Sequence, residues 1–242
     1  MLVSNHKISF IIFAFCLHVI AYGSFFGLAH MMDGFGNYSL WFPAAGFRIA
    51  LIFILGWRYG LLIALAEITA QGFIGDWATW SYDPVYIFIG SGSPSFVCAF
   101  VVYLIERFRL TSPKLENFAS LIWFVAALVI TPLMAAPVAA GIKVIGGRVP
   151  FADYPSSIMS YWVGDMIGML MFAPLVLIGY RAYINKRWNE ISPLLHVPFI
   201  LEFITAVIFI WLTVEYAGGG PLSLRWLPFF VPIVWISLRH GF

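Results

Sequence analysis

Four ionisable residues lie inside long apolar stretches: Arg48, Glu67, Asp165 and Glu202. Each costs about 2.5–3.5 kcal/mol at the centre of a membrane helix, so each needs a partner or a water-lined cavity. Arg48 lies about ten residues, or roughly 15 Å, above the turn at Gly56–Gly60, and Glu67 about seven residues, or roughly 10 Å, beyond that turn. An arginine side chain covers that difference, so the spacing predicts an Arg48–Glu67 ion pair, structural or functional. Asp165 falls about eleven residues into its own apolar stretch, near mid-membrane, in Trp162-Val-Gly-Asp-Met-Ile-Gly168. Gly164 and Gly168 flank the carboxylate with a small surface on which another helix can sit closely. Glu202 either shares that cavity or is protonated. Three acids against one base make an interior suited to a cation, a proton or a hydroxyl-rich ligand. These four are the candidate signal-binding or switch residues.

No catalytic residues are assigned. The sequence has no His-Glu-x-x-His, no Gly-x-Ser-x-Gly and no phosphate-binding Gly-x-x-x-x-Gly-Lys loop. His18 and His30, twelve residues apart in one stretch, read as packing or capping residues rather than metal ligands. Cys16 and Cys98 are embedded in apolar runs with no metal-ligand spacing and read as small buried hydrophobes. No metal, no cofactor and no enzymatic activity are expected.

Composition sets the frame that must position these charges. Hydrophobic residues make up 62% of the 242 and charged residues only 10%, with a mean hydropathy of +0.94. A soluble domain carries about a quarter charged residues to cover its surface. A net charge of +2 with no basic run excludes a nucleic-acid partner. Apolar stretches fall at about 8–31, 40–57, 60–75, 84–106, 117–145, 154–180, 195–217 and 226–239. Backbone groups in lipid must be satisfied within each segment, which requires helices. The expected fold is therefore an all-α, polytopic membrane bundle of about eight transmembrane helices in one domain. The first stretch is longer than the core of a signal peptide and lacks a small-residue cleavage site, so it reads as a retained helix.

Orientation follows from Lys and Arg. With the N-terminus in the cytoplasm, nine of the 13 basic residues lie inside, among them Arg58, Arg107, Arg181 and Lys186. Only Lys143, Arg148 and Arg225 lie outside, and Arg48 is in a span. The loop Gly56-Trp-Arg-Tyr-Gly60 is so short that the second and third spans must form a tight hairpin, shortened or tilted. Gly90-Ser-Gly-Ser-Pro94, Thr131-Pro132 and Pro137 are small or helix-breaking residues suited to close contacts or kinks. Ser39-Leu-Trp-Phe-Pro43, closing with Trp57-Arg-Tyr-Gly60, is echoed by Ser223-Leu-Arg-Trp-Leu-Pro228, closing with Leu238-Arg239-His-Gly241. The first copy runs straight into another helix. The second is expected to do the same past Phe242.

These motifs carry a resemblance. Trp41-Phe-Pro43-Ala-Ala-Gly46-Phe-Arg48, the Gly56 turn with Glu67 after it, Trp162-Val-Gly164-Asp165 running to Ala173-Pro174, and Pro232-Ile-Val-Trp-Ile-Ser-Leu-Arg239-His-Gly241 together resemble the bacterial membrane-associated sensor domain of the MASE type, first of its series. The chain is also similar to the membrane half of the hexose-phosphate sensor kinase. An extra alanine before Gly46 and the Gly90–Ser93 stretch depart from the family pattern. The resemblance implies a signal-input module of the bacterial inner membrane that works through a cytoplasmic histidine kinase or diguanylate cyclase absent from this chain. The expected partners are membrane lipids, an unidentified ligand or membrane protein, that output domain and a second copy of the chain. A small-molecule transporter or substrate-binding membrane component is the alternative, favoured by the mid-depth charges and the breakers. A scaffold for a partner is a third.

Overall fold

The structure, a computed structural model, describes residues 8–30, 39, 41–74, 84–108, 110, 118–186, 201, 204, 205 and 208. Every α-helical element in them matches an apolar stretch. They are α1 (Ile8–His30), α2 (Pro43–Leu55), α3 (Gly60–Ile74), α4 (Pro84–Phe108), α5 (Phe118–Ile145) and α6 (Tyr154–Asn185), with short 3₁₀ turns at Trp57–Tyr59 and Phe151–Asp153. Four of these helices are long and apolar enough to cross a membrane: α1, α4, α5 and α6. The expected eight spans are thus not reproduced among the described residues. The stretches 195–217 and 226–239 fall largely or wholly outside them, and α2 and α3 are short.

The chain divides into two compact units, Met1–Ala173 and Pro174–Phe242. In the second, the described part is the C-terminal end of α6 together with helical positions at Leu201, Ile204, Thr205 and Ile208, where the Thr205 hydroxyl donates to the Leu201 carbonyl. The candidate site lies wholly in the first unit.

Within that unit the hairpin is the central piece. α2 has 13 residues and α3 has 15, so at about 1.5 Å per residue each is roughly 20 Å long, short of a hydrocarbon core of about 30 Å. Proline suits the first turn of α2 because its missing N–H would have no helical partner there. Gly56 ends α2 with a φ of 99°, a left-handed value that a side chain disfavours, and its N–H donates to Ile52. A single 3₁₀ turn then reverses the chain into α3. Gly60, the first residue of α3, lies so close to Ala99 of α4 that an added Cβ would collide with the alanine methyl.

α1 lies parallel to α3 and touches it at two successive levels. His18 meets Glu67, and one turn further Gln71 donates to the Tyr22 hydroxyl at 2.8 Å. α5 packs against α4 and α6 through small residues: Ala135, Ala136 and Ala139 meet Tyr161 and Val97. Pro94, Pro132, Pro137 and Pro174 all lie inside helices. Beside Pro132, the Val129 carbonyl accepts the Trp162 indole N–H at 3.1 Å. The Gly90–Ser93 stretch is ordinary helix within α4.

Candidate functional site

Glycine spacing on α6 determines where α2 begins. The Phe42 N–H donates to the Gly164 carbonyl at 3.1 Å. The Phe42 carbonyl occupies the space that a Cβ on Gly168 would need. On the other side, a Cβ on Gly46 would lie 2.5 Å from the Gly168 carbonyl oxygen and 2.6 Å from Phe172 Cβ. Backbone therefore sits on backbone where α2 meets α6. Trp41, buried to 6% exposure, packs its ring 6.2 Å from that of Phe172. Pro43 starts α2 from this seat, and Arg48 follows five residues later with its head beside Asp165.

The guanidinium of Arg48 joins three helices. Its Nε donates to Glu67 Oε1 of α3 at 2.7 Å, and its Nη1 donates to Asp165 Oδ2 of α6 at 2.9 Å. Glu67 Oε1 also lies 3.1 Å from His18 Nε2 on α1, and Glu67 Oε2 accepts from the Ser95 hydroxyl on α4 at 3.1 Å. The Cys98 thiol bonds Arg48, and the Tyr161 hydroxyl bonds Asp165. His18 and Glu67 are fully buried, with Arg48 and Asp165 at 2% and 3% exposure. Charges out of water are tolerable only when paired and hydrogen-bonded. Glu67 meets that requirement with three donors. His18 does so only in part, since its Nδ1 is buried with no partner.

Most of the residues singled out in the sequence converge here. Arg48, Glu67 and Asp165 form the centre, Gly164 and Gly168 the seat, and Trp41, Pro43 and Gly46 the approach, while Trp162 ties α6 to α5. Pro174 lies further along α6. Glu202, Arg239 and Gly241 lie outside the described residues, and the expected sharing of a cavity by Asp165 and Glu202 lies there with them; among the described residues Asp165 pairs with Arg48. The physical reason is the glycine seat, which brings the α2 backbone against α6 and places arginine beside aspartate. His18, expected to pack or cap, bonds Glu67. Its signal was weak: one of two histidines in an apolar run, 49 positions from its partner. Among the described residues, no three His, Cys, Asp or Glu side chains converge as a metal site.

No curated protein and no solved structure matches the chain. A family model does: MASE1 matches residues 12–242, taking in most of α1, all of α2 through α6 and every motif that builds the glycine seat and the charge network. The chain belongs to the MASE1 family of membrane-associated sensory domains.

Proposed function

We propose that this chain is a signal-input module of the bacterial inner membrane, with its N-terminus in the cytoplasm, in which a signal acts on the Arg48–Glu67–Asp165 network. The observation that carries the reading is one guanidinium holding α2, α3 and α6 together. Anything that competes for one of its two carboxylates changes how those helices pack. A signal shifts such an equilibrium only by its differential affinity for the two arrangements, and a shared buried cation supplies that difference. α6 would carry the change towards the cytoplasmic side, where Arg181 and Lys186 follow the positive-inside pattern together with Arg58 and Arg107. The output is a histidine kinase or a diguanylate cyclase.

The test uses a diguanylate cyclase reporter joined after Phe242. Asp165→Asn, which leaves the Arg48–Glu67 pair in place, is expected to lock the reporter in one state while the amount of inserted protein stays unchanged. Reporter activity equal to wild type in this variant would reject the reading. The four prolines inside α4, α5 and α6 support a second reading, a small-molecule transporter. Substrate accumulation in vesicles that is abolished by Asp165→Asn would favour it.

A further inference from the structure

The charge network carries an odd number of charges. With a neutral imidazole, Arg48 contributes one positive charge and Glu67 and Asp165 two negative charges, in a core where every one of these side chains is nearly or fully buried. Glu67 is held as a carboxylate by Arg48, His18 and Ser95 together. Asp165 has the thinner shell: one arm of Arg48 and the Tyr161 hydroxyl. That hydroxyl can reverse roles, donating to a carboxylate or accepting from a carboxylic acid. The other groups around the network are Tyr22 on α1, whose hydroxyl accepts from Gln71, and Cys98 on α4. α5 carries only Lys143, in its last turn.

A second observation points to a route. Ser157, Tyr161 and Asp165 stand four residues apart on α6, so they share one face and rise about 6 Å per step. All three are buried, and the Ser157 hydroxyl has no partner. A stripe of hydroxyls thus leads from the first turn of α6 to the carboxylate, with the buried Ser160 beside it on the same helix.

We infer that Asp165 is a proton-binding site, loaded through Ser157 and Tyr161 from the Tyr154 end of α6. A proton enters from water at that end. It passes by exchange along the two hydroxyls through bridging water, because the Ser157 hydroxyl has no protein partner and steps of about 6 Å are too long for a direct hydrogen bond. Each hydroxyl takes one proton and gives up its own. The product is a neutral Asp165 carboxylic acid that donates to Tyr161 and still accepts from Arg48. Loading makes the network neutral and turns the Arg48–Asp165 ion pair into a single charge-to-neutral hydrogen bond. The grip between α2 and α6 then loosens. This deepens the proposed function by naming the ligand as a proton, and it rests on that reading only for its downstream effect.

The test uses the full chain in phosphatidylcholine nanodiscs, titrated across about pH 4 to 9 while the infrared carbonyl band of protonated carboxyl groups is followed. One band is expected to grow as pH falls, to vanish in Asp165→Asn, to move to lower pH in Glu67→Gln and to persist in Glu202→Gln. After a pH jump, Ser157→Ala is expected to slow its growth at least tenfold while leaving its midpoint in place, whereas Tyr161→Phe is expected to slow it and to move the midpoint to higher pH, because the carboxylate loses a donor. A band lost with Glu202→Gln, a titration seen only in the histidine ¹⁵N signals and lost with His18→Gln, or a midpoint set by sodium concentration would each overturn the assignment to Asp165. Unchanged rates in both hydroxyl variants would overturn the route. No output domain enters this measurement. A missing band therefore rejects the proton site alone, whereas a silent reporter with the band intact rejects the signalling reading alone.

Discussion

α2 and α5 are both apolar helices, yet they solve opposite problems. α2 has 13 residues and buries all of them except Phe47 and Phe53. α5 has 28 residues and leaves a broad face open, with Leu121, Ile122, Trp123, Ile130 and Leu133 each at least 44% exposed. A long helix that faces lipid loses little by exposing leucine, since lipid tails are equally apolar. A short helix carrying arginine has no such option and must be surrounded by protein. Length and charge thus sort the bundle into a lipid-facing part and a part enclosed by other helices. Apolarity alone does not separate them.

Removing the shared cation should cost the most. Arg48→Leu leaves two buried carboxylates without their partner, and the expected loss is about 3–5 kcal/mol, read as a collapse in the yield of monodisperse protein. The swap Arg48→Glu with Glu67→Arg is expected to fail as well. Simple pairing of two residues would let it recover, but here a carboxylate at position 48 would face Asp165. Adding Asp165→Asn to the swap should recover part of the yield. Recovery by the swap alone would show that Asp165 is not part of the network.

Next comes a matched pair of isoleucines. Ile49 is fully buried on α2 and Ile130 is 46% exposed on α5. Ile49→Ala opens a cavity and should cost about 2–4 kcal/mol in thermal unfolding in detergent. Ile130→Ala should change stability by less than about 0.5 kcal/mol. Equal effects would erase the distinction between the two helices.

Glycines give a smaller contrast of the same kind. Gly168→Ala forces a methyl into the Phe42 carbonyl and should cost about 1–3 kcal/mol. Gly27→Ala on α1 meets nothing within 4 Å and is expected to be neutral or mildly stabilising. Trp162→Phe, which removes the bond to Val129, should cost about 0.5–1.5 kcal/mol, less than Gly168→Ala.

Much of this was legible in the residues themselves. Composition required helices in lipid, because backbone groups there have no water to bond. The five-residue link from Gly56 to Gly60 required a tight hairpin, and depth arithmetic paired Arg48 with Glu67, because both lie close to one turn and the chain has little freedom between them. Gly164 and Gly168 announced a close helix contact without saying with what. The rest depended on separations that no local pattern encodes. Asp165 lies 117 positions from Arg48, and only the seating of the Phe42–Gly46 backbone on α6 brings them together. His18 and Ser95 are polar residues in apolar stretches that look alike until α1 and α4 enclose the hairpin. Sequence thus determined that buried charges exist and how deep they lie, through helix rise and loop length. Only the packing of the helices sets which of them share one buried centre, because that depends on which faces five helices turn inward.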